Sequence, residues 1–246
     1  MLSFLSTELR SSRSWAPIIS QDMSTSAPFN ESNPMASEAW LELAVAADHF
    51  ERYTNDHAVR IARIADEMAR TFHMARHDRR SLYSAALMHD LGEVVMERDY
   101  IQRAGSLTDE ERLDLARHPV IGEQEAARAG ADRASQLLVR WHHEWWNGCG
   151  YPDALRHTEI PLAARILRVA DSYAALTDSR PFRPAMTETD AKHEIVSWAA
   201  IEFDPRVVLA LLSLDPMEEL RSFAGQDDSL SSSAKDEGNL FAYLNS

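Results

Sequence analysis

Residues 142–183 read HHEWWNGCGYPDALRHTEIPLAARILRVADSYAALTDSRPFR. Two adjacent histidines, His142 and His143, stand at the head, followed by Glu144. A turn punctuated by Gly148, Gly150 and Pro152 comes next, of a composition that exposes backbone. Pro161 suits the first turn of a helix. Ala163, Ile166, Leu167, Ala170 and Ala174 then recur at helical spacing and define a buried face. Asp171 is set against that face, where an unpaired carboxylate is costly to bury. Its partner would be a metal or, more plainly, an arginine. Arg180 and Arg183 close the stretch, braced by Pro181 and Pro184. Histidines, an embedded carboxylate and two arginines point to a metal site that handles phosphate.

Upstream, Val59, Ile61, Ile64, Ala65 and Met68 form a helical stripe, with His57 one turn before Ile61. Taken alone, such a histidine reads as an ordinary residue at a helix start. Two His-Asp dipeptides follow. His77-Asp78 lies between two helical patterns and reads as a turn, with Asp78 capping the next helix. His89-Asp90 ends the apolar run LYSAALM, where Leu82, Ala85, Ala86 and His89 share one face. A metal would remove the cost of burying Asp90, so the second pair is the site candidate. Thr108 to Glu111 reads as a helix start. His118 precedes Pro119, a residue that can mark a kink.

The run ADRASQLLVRWHHEWW reads as one helix ending near Asn147-Gly148. Neighbouring side chains on a helix diverge by about 100°. His142 and His143 should therefore approach a metal from different sides, or one should pack while the other is solvated.

The chain has 246 residues, 45% of them hydrophobic, and carries a net charge of -14. Such a charge argues against a nucleic-acid polymer or an anionic membrane as the main partner. Cys149 is the single cysteine, so no intramolecular disulfide can form, which fits a reducing cytoplasm. No apolar run reaches the roughly 20 residues of a membrane span. Residues 1–36 are rich in Ser, Pro and Asn and read as a disordered lead-in, with helix starting near Ser37 as N-cap. Residues 223–246 read as a flexible tail. Between them, 37–222 is predicted to be one all-α domain, since helical periods dominate and alternating strand runs are lacking.

HHEWWNGCGYP resembles the signature of the HD-GYP phosphodiesterases, which is HHE, two residues, then DGxGYP. The later IPLAARILRVADSYAALTDSRPFR resembles the same family, and His89-Asp90 falls at its HD dipeptide. The resemblance spans roughly residues 50–213. It implies an HD-domain helical bundle extended by the GYP-motif helices. The activity it implies is hydrolysis of cyclic di-GMP to pGpG, and on to GMP, by attack of a metal-bridging hydroxide. His57, His89 and Asp171 would hold one ion, His118, His142 and His143 a second, with Asp90 bridging. Five imidazoles and two carboxylates suit two ions, of iron or manganese, with zinc as a further candidate. Some relatives bind a third ion through a glutamate four residues before the first histidine; here that position is Tyr53, so two ions are expected. Arg180 and Arg183 match positions that hold substrate phosphates, and Gly150, Tyr151 and Pro152 form the substrate-side turn.

Departures from the pattern are Asn147 for aspartate, Met96-Glu97 for Ile-Pro, and Glu93 for lysine. Glu93, assigned with Asp90 to catalysis, reverses a charge beside the substrate phosphate. It is expected to slow turnover without abolishing it, unless it is itself a metal ligand or an acid/base group. Two alternatives follow. One is a weakly active or inactive domain serving as a cyclic-dinucleotide-binding or protein-interaction module with signalling partners. The other is a phosphohydrolase of another nucleotide.

Overall fold

Helix α8, Leu162–Thr177, is the element around which the others pack. Its residues Ala164, Ile166, Leu167, Val169, Ala170 and Ala174 are buried on several sides at once. A computed structural model describes residues 34–214, apart from 104, 181 and 182. The described residues form ten α-helices and two short 3-10 turns, with no strand. The expected all-helical HD bundle is therefore observed. Isolated bridges join Arg180 to Arg183 and Ala199 to Phe203.

Helices α1 (Pro34–Phe50), α2 (His57–Thr71) and α3 (Arg76–Met88) come first. Small residues let α2 and α3 approach each other and α8 closely: Ala58, Ala62, Ala65 and Ala69 on one, Ala85 and Ala86 on the other, are all buried. Burial of this face, together with Ile61, Met68 and Leu82, supplies most of the driving force for the bundle. Short helices α4 (Leu91–Met96) and α5 (Asp109–Leu115) lead to α6 (His118–Arg128) and α7 (Arg133–Trp141). After α8 come α9 (Glu188–Ser197) and α10 (Pro205–Ser213). No helix among the described residues is long and apolar enough to cross a membrane.

Several local expectations change. Helix α1 begins at Pro34, so Ser37 lies inside it and is not its N-cap. A proline is well suited to that first turn. The N-cap of α3 is Ala75, and Asp78 sits within the first turn, paired with His77 Nε2 at 3.1 Å. An acid there is still favoured by the helix dipole, which the sequence pattern does not distinguish from a cap. Pro119 sits in the first turn of α6 and kinks nothing. Thr108 and Glu111 do form a reciprocal capping box on α5. The predicted tail and nearly all of the predicted lead-in lie outside the described residues.

One glycine decides how two site helices meet. A Cβ on Gly92 would stand 2.0 Å from the carbonyl oxygen of His118. Only glycine lets α4, which follows Asp90, lie against the start of α6, which carries His118.

Candidate metal centre

The chemistry-bearing residues sit at helix ends, and the bundle brings those ends together. His57 opens α2, His89 ends α3, Asp90 precedes α4, His118 opens α6, and His142 ends α7. Asp171 alone lies in mid-helix, on α8. Ligand atoms of Asp90, His118, His142 and His143 all lie within 4.8 Å of one another, as do those of His57, His89 and Asp171. The seven residues singled out in the sequence thus form two adjoining groups.

Their rings are oriented by the backbone. His89 Nδ1 lies 2.9 Å from the Ala86 carbonyl, His118 Nδ1 2.8 Å from that of Leu115, and His142 Nδ1 2.6 Å from that of Val139. Each acceptor is three residues earlier, at a helix end where carbonyls lack intrahelical partners. With Nδ1 donating, Nε2 keeps its lone pair for a metal. His57 reaches the same state through a side chain: its Nδ1 is 2.7 Å from Asp178 Oδ2. Asp178 is held in turn by Arg60 Nη1 at 2.6 Å and Asn55 Nδ2 at 2.9 Å. Asp48 accepts from the Ala58 amide at 3.1 Å and so fixes the start of α2.

Helix α7 stops at Trp141, several residues before the predicted end. His142 is its C-cap and His143 lies in the turn beyond. The 100° divergence holds only within a helix, so both rings turn to the same cluster, with centroids 4.0 Å apart. Arg168 Nη1 donates to His143 Nδ1 at 3.0 Å. Tyr151 stacks on the outer face of that ring, centroids 4.9 Å apart.

The glutamate of HHE is no ligand. Buried Glu144 accepts the backbone amides of Asp153 at 2.7 Å and Leu155 at 3.0 Å, tying the GYP turn to the histidine pair. Arg140 grips Asp153 through two bonds of 2.6 Å, and Trp141 Nε1 adds a third at 2.8 Å. Gly150 packs so tightly that a Cβ would stand 2.2 Å from the Trp145 amide.

Charge is concentrated at Asp90. His89 Nε2 lies 2.9 Å from its Oδ2, and His118 Nε2 lies 3.3 Å and His142 Nε2 3.6 Å from its Oδ1. Burial opposes the charged carboxylate, but the His89 charge and the nearby imidazoles of His118 and His142 outweigh it and hold Asp90 well below the usual range. Burial also pulls His89 down, yet Asp90 and Asp171 raise it to about 10. Burial, reinforced by neighbouring cations, pushes His142 and His143 down. His89 Nε2 and Asp90 Oδ1 are buried without a hydrogen-bond partner. Orphaned donors and acceptors of this kind are rare in folded proteins and need explaining. Imidazole lone pairs converging on buried carboxylates fit divalent cations, which would satisfy them.

Of the two partners weighed for Asp171, the arginine is present, and a histidine stands on the other side. Its Oδ1 is 3.9 Å from His89 Nε2 and its Oδ2 3.3 Å from Arg168 Nη1. The two sequence-chosen arginines part company. Arg180 reaches the cluster, where Nη2 bonds Glu51 Oε2 at 3.1 Å and the Tyr53 hydroxyl, and its guanidinium lies 4.0 Å from the Tyr53 ring centroid. Tyr53 itself stacks on His57, centroids 3.6 Å apart. Arg183 pairs with Arg180 through the backbone and donates its side chain to the Ala175 carbonyl. Gly150, Tyr151 and Pro152 form the expected turn beside His143, with a cis Tyr151–Pro152 bond.

Glu51, Asp178, Arg168 and Glu144 were not among the predicted site residues. Asp178 could have been noticed, since it follows Asp171 by seven residues, the spacing of one helix face, although α8 stops at Thr177 and Asp178 is its extended C-cap. Glu51 carries no such signal.

A histidine–aspartate cluster at converging helix ends, inside an all-helical bundle, is the architecture of the HD domain, and the HD domain family matches residues 41–207. The chain belongs to that family, in its HD-GYP branch. It is 38% identical over 143 residues to a cyclic di-GMP phosphodiesterase of Vibrio cholerae serotype O1, covering 54% of this chain and 29% of that protein. It is 33% identical over 189 residues to the cyclic di-GMP phosphodiesterase response regulator RpfG of Xanthomonas campestris pv. campestris, covering 76% of this chain and 50% of the relative. The crystal structure of a cyclic GMP-AMP specific phosphodiesterase of V. cholerae, V-cGAP3, matches with a TM-score of 0.60 at 20% identity, over 77% of this chain and 50% of that one. The chain spans half or less of the length of these relatives.

Proposed function

We propose that the chain is a metal-dependent phosphodiesterase that opens a cyclic dinucleotide, cyclic di-GMP before others, to the linear pGpG and on to GMP. One observation carries this reading: three imidazoles, each with Nδ1 against a backbone carbonyl, turn Nε2 toward the buried carboxylate of Asp90. The names of the relatives agree with it.

His57, His89 and Asp171 would hold one ion, His118, His142 and His143 another, with Asp90 between them. The mixed imidazole and carboxylate set suits iron or manganese, with zinc as a third candidate. Ions so held supply a water acidified to near-neutral pH and offset the charge of a phosphodiester. The remaining work falls to the protein. Arg180 would offer a bidentate guanidinium to a substrate phosphate, with Arg183 as a second cation nearby. Tyr151 and the turn fixed by Glu144 would wall the His143 side of the site. Residues 37–222 are proposed as the catalytic unit, and an exposed free Cys149 with a nucleotide substrate supports a cytoplasmic setting.

A second reading is binding without turnover, and Glu93, in place of the family's lysine, is the feature that favours it. The test is protein loaded anaerobically with iron or manganese and assayed against a panel of cyclic dinucleotides. Linear product supports the enzyme. Saturable binding with no product supports the regulatory module.

A further inference from the structure

We infer that Arg168 is a tethered cation that competes with metal for His143 and Asp171, so that loading of the centre requires its withdrawal toward Glu202. The inference rests on the dinuclear reading.

Arg168 lies three residues before Asp171 on α8. One of its nitrogens serves both ligand groups: Nη1 is 3.0 Å from His143 Nδ1 and 3.3 Å from Asp171 Oδ2. Nη2 donates to Glu202 Oε1. The side chains of Arg168, Asp171 and Glu202 are only 14%, 13% and 12% exposed, so solvent ions screen these charges weakly.

A guanidinium donates, never accepts, and does not lose its proton in a protein. His143 Nδ1 must therefore be the acceptor, which places the proton of the ring on Nε2. His89, His118 and His142 are in the opposite state, since their Nδ1 atoms face carbonyls and must donate. His143 is the odd member. With Nδ1 taken by Arg168 and Nε2 protonated, it has no lone pair to offer an ion. Asp171 likewise has one oxygen committed to the same guanidinium nitrogen. A fixed positive charge at that range also repels a divalent cation. Arg168 thus holds a contact that an ion in either group would need.

Glu202 gives the guanidinium somewhere to go. The carbonyls of Glu202 and Ile201 accept the amides of Trp146 at 2.9 Å and Asn147 at 3.0 Å. The segment between α9 and α10 is thereby fixed against the chain just beyond His143. Its carboxylate keeps Arg168 paired when His143 and Asp171 are released, so withdrawal strands no buried charge.

The test is manganese titration of the full chain, wild type beside Arg168→Met, with nitrogen NMR of the imidazoles in the metal-free protein. Metal-free wild type should show His143 protonated at Nε2, and His89, His118 and His142 at Nδ1. Arg168→Met should bind manganese about tenfold more tightly than wild type, at the same final stoichiometry and helical content. Removing a residue that only shapes the site would weaken binding, so the direction is diagnostic. Arg168→Lys, which keeps the charge, should stay near wild type, and equal tightening there would overturn competition by charge. Unchanged or weaker affinity in Arg168→Met, or a proton on Nδ1 of His143 in wild type, overturns the inference and leaves the dinuclear reading standing. If Arg168→Met does not fold, the wild-type spectrum decides. Fewer than two ions in wild type and variant alike, at saturating manganese, overturns the dinuclear reading and the competition with it.

Discussion

Asp178 Oδ2 stands 2.7 Å from His57 Nδ1, and the two side chains are 2% and 1% exposed. This contact fixes the ring that opens α2. Partners of this kind typically account for 10–100-fold in metal affinity. Asp178→Ala should weaken binding at His57, His89 and Asp171 by roughly that factor, while His118, His142 and His143 keep their ion. Site-resolved titration with manganese checks it. Equal weakening of both groups would mean general unfolding, not loss of orientation.

Asp90→Ala should remove more metal than loss of any one histidine. Three imidazoles face this carboxylate, and nothing else among the described residues lies between the two groups in the same way. Elemental analysis of the variant beside His57→Ala, His118→Ala and His143→Ala provides the ranking. A smaller loss for Asp90→Ala would assign the bridge elsewhere.

Arg180→Ala should leave both histidine-rich groups loaded and weaken cyclic dinucleotide binding. A hydrogen bond to a charged group contributes about 1.5–3 kcal/mol, or roughly tenfold to a hundredfold in affinity. Binding isotherms at matched metal content measure it. Lost metal with intact binding would place Arg180 in the scaffold.

Stability should respond to acid through the GYP turn. Bonds from Arg140 hold Asp153 below the ordinary carboxylate range, with Trp141 adding to the effect. A depressed folded value stabilises the native state above the unfolded pKa of about 3.9, and that stabilisation disappears as pH falls through the folded value. Asp153→Asn should therefore be less stable than wild type at neutral pH, by roughly 1 kcal/mol at most for so exposed a pair. The two should converge below about pH 4. Thermal melts across pH test this, and a gap that widens in acid would contradict it.

Much of this architecture is written in local pattern. The stripe from Val59 to Met68 and the face from Ile166 to Ala174 mark α2 and α8, and the seven proposed ligands are local features of the same kind. The end of α7 is not marked, because His142, Glu144 and Trp145 are all compatible with helix and no glycine precedes Gly148. What stops it is tertiary: Glu144 is needed by amides at Asp153 and Leu155. Glu51 and Arg180 are 129 residues apart, and Glu51 does not stand out from other surface-type acids until the bundle closes. Their pairing is a property of topology, which periodicity does not encode.

The carbonyl clamps on His89, His118 and His142 have an evolutionary corollary. Each acceptor belongs to the main chain of Ala86, Leu115 or Val139, so replacing those side chains leaves the acceptor in place. Point mutation can therefore rework the surroundings of three rings without changing their tautomer, and only an insertion, deletion or local unwinding would release them. His57 lacks that protection, since its clamp is the side chain of Asp178. Drift among relatives should accordingly reach the His57 half of the centre first, leaving the other half to persist as a bare cation site.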